Sequence, residues 1–325
     1  MHRRHWLLAW PGALVAPLGT PLGAPAVAAD YPARPPRLIV PVAPGGSQDS
    51  VARLLARFMA ESLGQHLIVE NRPGAAGNIG YEIVARARPD GLVLGAGSDS
   101  LSINKSLFPL LGFDPIEDFT PVAEATLVPQ ILVVRADSPA RDLAGFLRLA
   151  ARVPLAMGSG GNGSLAHLLQ QVLQDVAGQR WTHVPYRGGA LAVNDLLAGS
   201  LHAMMGNVGA VAEQVQAGHL RGIAVSSPGR APGLPAVPSF TEQGMPQAEV
   251  LGWHGLVAPR GTPPAVVARL HAAVLHALRL PEVMQRLTAL GITPSEAPPE
   301  ALGARMAEDA RRWAEVIRRG GLRSD

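Results

Sequence analysis

One local pattern constrains this chain more than any other, because it occurs twice. Leu38-Ile39-Val40 is a short apolar run that breaks at Ala43-Pro44-Gly45-Gly46 and resumes behind Ser47 as a stripe of Val51, Leu54, Leu55, Phe58 and Leu63. Leu155-Ala156-Met157 does the same: it runs into Gly158-Ser159-Gly160-Gly161-Asn162-Gly163-Ser164 and then Leu165, Leu168, Leu169, Val172 and Leu173. Each copy reads as a buried strand, a loop whose glycines permit unusual backbone angles, and a helix with serine in the N-cap position. Such a junction leaves unpaired N–H groups at the positive end of a helix dipole, which is an anion site in outline. Either loop alone is also what a plain βα turn looks like; the recurrence favours binding. The first loop lacks the lysine of a phosphate-binding P-loop, which argues against a nucleotide.

Between and after the two copies, strand and helix patterns alternate. Leu67-Ile68-Val69-Glu70 precedes the turn-forming run Asn71 to Asn78 and a helix through Ile79, Ile83 and Val84. Leu92-Val93-Leu94 ends at Gly95-Ala96-Gly97-Ser98-Asp99-Ser100. This order predicts a mostly parallel sheet with its loops gathered at the strands' C-terminal ends, where open α/β sheets bind ligands. Ile131-Leu132-Val133-Val134 is the expected crossing into a second lobe, and Leu251 to Ala258 the expected return. Between them lie short strands at His183-Val184, His202 to Met205 and Gly222 to Ser226. The predicted organisation is α/β, with residues 30–133 plus 252–325 as lobe one and 134–251 as lobe two, joined by two hinge-crossing strands.

The first thirty residues stand apart. Arg3 and Arg4 precede an apolar stretch broken by Pro11, Pro17, Pro21 and Pro25, and Val27-Ala28-Ala29 fits a small-residue cleavage site. That predicts a Sec-type signal peptide over 1–29 and a periplasmic mature chain from Asp30. The chain has no cysteine, which removes disulfides, thiolate metal sites and a lipoprotein anchor. No basic cluster with interleaved aromatics points to nucleic acid, and aromatic residues at 4% are too few for sugar-stacking platforms. Lys105 is the sole lysine, so Schiff-base chemistry has one possible carrier.

Catalytic patterns are thin. There is neither a Gly-x-Ser-x-Gly elbow nor a His-Glu-x-x-His run. His271 and His276 are five apart on an expected helix, a spacing that separates their faces. Ser164 and His167 lie one turn apart, so they read either as nucleophile and base or as an N-cap and a pocket-wall residue. Asp49 and Arg53 have the spacing of a helix-surface ion pair. Asp99 reads as a cap for the helix around Leu101–Leu107 or as a cleft residue that selects the ligand.

Taken in order, several motifs resemble one family. They are Tyr31-Pro32, Ile39-Val40-Pro41, Ala43-Pro44-Gly45-Gly46-Ser47 with Asp49, Val51-Ala52-Arg53, and Glu70-Asn71-Arg72-Pro73-Gly74-Ala75-Ala76-Gly77-Asn78-Ile79-Gly80. Pro89-Asp90-Gly91, Gly158-Ser159 with Gly161-Asn162-Gly163, and His183-Val184-Pro185-Tyr186-Arg187-Gly188 follow. The chain is similar to Bug-type solute receptors, the extracytoplasmic binding components of tripartite tricarboxylate transporters. The resemblance covers essentially the whole mature chain. It implies a two-lobed type 2 periplasmic binding protein fold that closes, as a monomer and without cofactor or metal, on a small organic acid or amino-acid-like ligand for delivery to membrane transporter subunits. Carried over by position, it places Ala43, Gly45, Gly46, Ser47, Asp49, Asn78, Ser98, Asp99 and Ser100 at the first-lobe side of the ligand. Ser159, Asn162, Gly163, Ser164, Tyr186 and Asn207 fall on the second-lobe side, with His167 in the wall. Two departures border this pocket: the family's Gly-Thr-Thr-Gly-like run is Gly97-Ser98-Asp99-Ser100 here, and its Asp-Asn pair is Gly206-Asn207. An exported enzyme or sensing partner on the same fold is the alternative reading. A transcription-factor effector domain would need a DNA-binding segment where this chain has its leader.

Overall fold

A computed structural model describes residues 31–324, so the expected leader at 1–29 lies outside the described residues. The first half opens with β1 (Arg37–Val40), α1 (Ser47–Leu63), β2 (Ile68–Asn71), α2 (Asn78–Ala85), β3 (Val93–Ser98) and α3 (Asp99–Leu107). The long strand β4 (Phe119–Arg135) leads to α4 (Leu143–Ala150), β5 (Ala156–Ser159), α5 (Leu165–Ala177), β6 (Thr182–Pro185), α6 (Gly189–Ala198), β7 (Ala203–Asn207), α7 (Val208–Gln216) and β8 (Leu220–Val225). The chain closes with β9 (Leu251–Pro259), α8 (Pro264–Leu278), α9 (Pro281–Ala289), β10 (Thr293–Pro294) and α10 (Pro299–Gly320).

The strands join in the order β2-β1-β3-β9-β4-β7-β5-β6, with β8 and β10 also on β4. Inside each half the sheet is parallel where βαβ units build it: β1 pairs with β2 and β3, and β5 pairs with β6 and β7. The strands at the centre run antiparallel. β4 belongs to both halves. Its residues from Phe119 to Pro129 pair with β9, and those from Gln130 onward pair with β7 and β8.

Two sequence expectations are corrected here. The crossing strand begins at Phe119, well before the expected Ile131. Pro121 and Pro129 hid it, since proline removes a ladder donor and reads against a central strand; the register shifts beside Pro121 accommodate one of them. β9 is not itself the return crossing, because it pairs along its length with β4 and β3 in the first half. The return is made just before it, where Ser226 ties the passages together. The Ser226 hydroxyl accepts from the Gln130 N–H (2.8 Å) and donates to the Val250 carbonyl (2.6 Å). Backbone bonds Ser226 N–H to Gln130 and Val250 N–H to Ser226 complete the stitch.

The apolar faces explain why the two halves hold their positions. α1 and α8 cover one side of the first half with Val51, Leu55, Met59, Leu270 and Val274 in its core. On the other side Tyr81, Trp253, Leu302 and Met306 pack together. α10 then continues past the first half: Trp313 and Ile317 are buried among Phe146, Leu168 and Leu169 of the second. α3 does likewise through Ile103 and Leu107. Both tryptophans are fully buried, as core residues should be.

Candidate ligand-binding cleft

The two strand–loop–helix units converge on the first residues of β9. His254 Nε2 lies 3.1 Å from the hydroxyl of Ser47, the first residue of α1. Two residues earlier, Gly252 approaches the first residue of α5: a Cβ on it would stand 3.0 Å from Leu165 Cδ2. Positions two apart on a strand are separated by roughly 7 Å. The starts of α1 and α5, one from each half, therefore border the same short piece of strand. Each presents first-turn N–H groups that no helical carbonyl can satisfy.

In the first loop, Ala43, Gly45 and Gly46 are exposed and Ser47 is half-buried. The helix N-cap is Gly46, so Ser47 is the first helical residue and not the cap expected from sequence. Asp49 is buried, and its carboxylate is taken up inside the lobe. It accepts from the Gly45 N–H (2.9 Å), Asn71 Nδ2 (2.7 Å) and Arg53 Nε (3.0 Å). Burial raises its pKa, but these donors outweigh that and hold it below the ordinary carboxylate value. Asp49 thus shapes the loop that carries the free N–H groups. Asn71, which also donates to the Val42 carbonyl (3.0 Å), shares that work.

The neighbouring loops add neutral polar groups. Asn78 opens α2 and is 6% exposed; its Oδ1 accepts from Asn104 Nδ2 (2.8 Å), while its own Nδ2 has no partner. Ser98 and Ser100 bond each other (2.8 Å) and both meet the Tyr81 hydroxyl (3.3 and 3.0 Å). Asp99 is the first residue of α3, behind Ser98 at the N-cap, so it is not the cap. Its Oδ2 sits 2.6 Å from where a Cβ of Gly252 would be, so a side chain there would have to displace the Asp99 carboxyl. Burial and the nearby Asp309 carboxyl push Asp99 up to about 7, against the N–H groups of Ser100 and Trp253.

The second loop is held by side chains that carry no charge. Ser164 is the N-cap of α5: its oxygen accepts from the His167 N–H (3.3 Å), and its hydroxyl donates to the Gly161 carbonyl (2.8 Å). His167 Nδ1 accepts from the Gly163 N–H (3.1 Å), and its ring stacks on His183 at 3.6 Å between centroids. His183 Nε2 in turn meets the Ser159 hydroxyl at 2.7 Å. Burial lowers His167 to about 4; burial and the neighbouring His167 lower His183 to about 3. Both rings are neutral at ordinary pH. Ser164 and His167 share no side-chain hydrogen bond in these contacts, so they are not arranged as nucleophile and base. Gly163 has φ of +70°, and Leu107 Cδ2 lies 2.1 Å from where its Cβ would be, so only glycine lets this loop close on α3.

Three residues named from sequence have other commitments. The Tyr186 hydroxyl donates to Asp195 (2.7 Å), which pushes it up to about 12. Asn162 Nδ2 donates to the Arg323 carbonyl (3.1 Å). Asn207 accepts from Gln130 Nε2 (2.6 Å) beside the Ser226 stitch. Sequence reasoning overlooked His254, Asn71, Asn104 and the roles of His183 and Ser226. Asn71 and His183 stood inside recognised motifs.

Comparison with known proteins now decides the family. The model of the tripartite tricarboxylate transporter family receptor matches residues 51–322. The chain belongs to that family. BugT of Bordetella pertussis is 37% identical over 98% of both chains. Among solved structures, MatC from Rhodopseudomonas palustris with bound malate is 35% identical, with a TM-score of 0.80 over 88% of this chain and 100% of MatC. R. palustris Rpa4515 with adipate is 32% identical, with a TM-score of 0.83 over 90% and 99%. The receptor has the two-lobed periplasmic-binding fold of these relatives, with β4 and the Ser226–Val250 passage as its crossings. No helix among its described residues is long and apolar enough to cross a membrane.

Proposed function

We propose that this receptor captures a small dicarboxylate between its lobes and delivers it to a tripartite tricarboxylate-type transporter in the membrane. The observation that carries the reading is the convergence of α1 and α5 on Gly252 and His254 of β9. Two helix N-termini facing one small space suit a ligand with an anionic group at each end. Malate and adipate in the cited relatives are ligands of that kind. The neutral lining agrees with it. Asn78 Nδ2 is an unused donor, and Asp99, the acid at the start of α3, is shifted toward its neutral form. The mature chain starts at Asp30 in the periplasm, and the lobes comprise 30–133 plus 252–325 and 134–251. Ligand contacts come from the loops at 43–47, 78, 98–100 and 159–164, with His167 in the wall.

Titration calorimetry with C4 to C6 dicarboxylates, with native mass spectrometry of the purified protein for a retained metabolite, tests this reading. Saturable one-to-one binding of a dicarboxylate without turnover is expected. Binding confined to neutral or cationic solutes would overturn it.

A further inference from the structure

His254 is buried at 9% exposure on β9 and has one hydrogen-bond partner, the Ser47 hydroxyl. Which way that bond runs depends on which ring nitrogen carries the proton. Nδ1 is buried with no partner. A buried N–H without an acceptor is rarer and costlier than an unused lone pair. The surroundings offer Nδ1 little. The cavity of about 10 Å3 that His254 helps to line is otherwise mostly aliphatic, with Leu38, Val51, Leu55 and Met59 in its wall. Besides Ser47, the ring's polar neighbours are the Gln48 side chain, which lines the same cavity, and the Trp253 carbonyl, which pulls the ring's pKa upward but falls short of hydrogen-bond geometry with Nδ1. The favoured tautomer therefore has its proton on Nε2, pointing at Ser47 Oγ. With that oxygen occupied as an acceptor, the Ser47 hydroxyl proton is free to turn toward the cleft, beside the N–H groups at the start of α1. Burial lowers the ring to about 4, so the neutral form persists through the physiological range.

We propose that His254 fixes Ser47 as a hydrogen-bond donor to the ligand, and so selects a carboxylate over an ammonium group at the first-lobe end of the cleft. The inference rests on the dicarboxylate reading above and names the residue that sets the polarity of one end. His254 is a positioning residue: it acts through Ser47. With the opposite tautomer, Ser47 would donate inward and offer the cleft only lone pairs, which suit an ammonium or hydroxyl.

Two measurements on the full-length mature protein test it. Nitrogen-15 NMR of histidine-labelled wild type reads the tautomer directly; Nε2–H is expected, and Nδ1–H overturns the proposal. Calorimetry then compares adipate with 6-aminohexanoate, and succinate with 3-aminopropanoate, in wild type, His254→Phe, His254→Gln and Ser47→Ala. Wild type should favour each diacid by at least about tenfold, the scale of one hydrogen bond to a charged group. Ser47→Ala should weaken the diacid by a similar factor. His254→Phe should narrow the preference to a few-fold, and His254→Gln, whose amide can still donate, should restore most of it. A preference unchanged in His254→Phe overturns the assignment. A wild type that binds neither diacid contradicts the ligand reading instead, and the tautomer then still decides what His254 does to Ser47.

Discussion

The two strand–loop–helix units solve one problem with different chemistry. In each, the N–H of a glycine with positive φ bonds to the side chain four residues later: Gly45 to Asp49, and Gly163 to His167. The first lobe uses a charged acceptor, neutralised by Arg53 and Asn71. The second uses a neutral imidazole stacked on another imidazole. In both, the bond ties the loop to the first turn of the helix that follows it. The unlike acceptors mean that the two lobes answer differently to pH and to mutation.

Asp49→Ala should have the largest effect. It leaves the Gly45 N–H and Asn71 Nδ2 without their acceptor and takes the carboxylate from the exposed Arg53, a loss of about 3 kcal/mol in all from the two orphaned donors. Urea unfolding measures it; a loss under about 1 kcal/mol would show that the charged acceptor is dispensable. Next comes Asp99, at the start of α3 against Gly252. A carboxyl raised to about 7 when folded binds its proton more tightly than in the unfolded chain, so it erodes stability as pH rises from about 4 through 7. Asp99→Asn should therefore stabilise the protein at pH 8, by about 2 kcal/mol after allowing for partial solvation, and leave it unchanged at pH 4. A destabilised variant at pH 8 would mean that the carboxylate is needed as an anion.

His167→Phe should cost about 2 kcal/mol by orphaning the Gly163 N–H, and it carries a pH signature. His167 is lowered to about 4 from an ordinary 6.5. The stability from its neutral form is complete above about 6.5 and is lost as pH falls through about 4. Asp49, also depressed, keeps its contribution down to the carboxylate range and loses it only below that. On acidification the second lobe loosens before the first. Hydrogen exchange near pH 5 should show opening around 159–167 while 43–49 stays protected; simultaneous opening would break the comparison. The smallest effects are those of the two serines, and they differ in cause. Ser164→Ala removes a true N-cap and should cost about 1 kcal/mol. Ser47→Ala caps nothing but leaves the buried His254 Nε2 without its partner, which should also cost about 1 kcal/mol. Thermal denaturation distinguishes them once His254→Phe is added, since only the Ser47→Ala cost should then vanish.

The repeated unit was legible because strands and amphipathic helices have short periods that a single sequence displays. The antiparallel centre was not. β4 contains Pro121 and Pro129, and its β9 partners lie more than a hundred residues away while those in β7 and β8 lie at least 69 away, so neither local propensity nor turn chemistry announces it. The site divides the same way. Ser164, Gly163 and Asp49 sit near their partners in sequence and could be read. His254 meets Ser47 across 207 positions, and Asp99 meets Gly252 across the fold; no local signal predicts either encounter. Asp49 illustrates the remaining gap. Its spacing to Arg53 was visible, but that pairing alone did not show that the carboxylate turns inward and holds Gly45.

The central claim, that the two helix starts jointly hold a dicarboxylate, is tested most directly by a crystal structure of the protein with its tightest-binding diacid. One carboxylate should lie within hydrogen-bond reach of residues 45–47 and the other within reach of 161–165, with β9 between them. A diacid found instead in the groove of about 390 Å3 between α10 and the start of β9, lined by Glu124, Leu251, Arg305, Glu308 and Arg312, would contradict it.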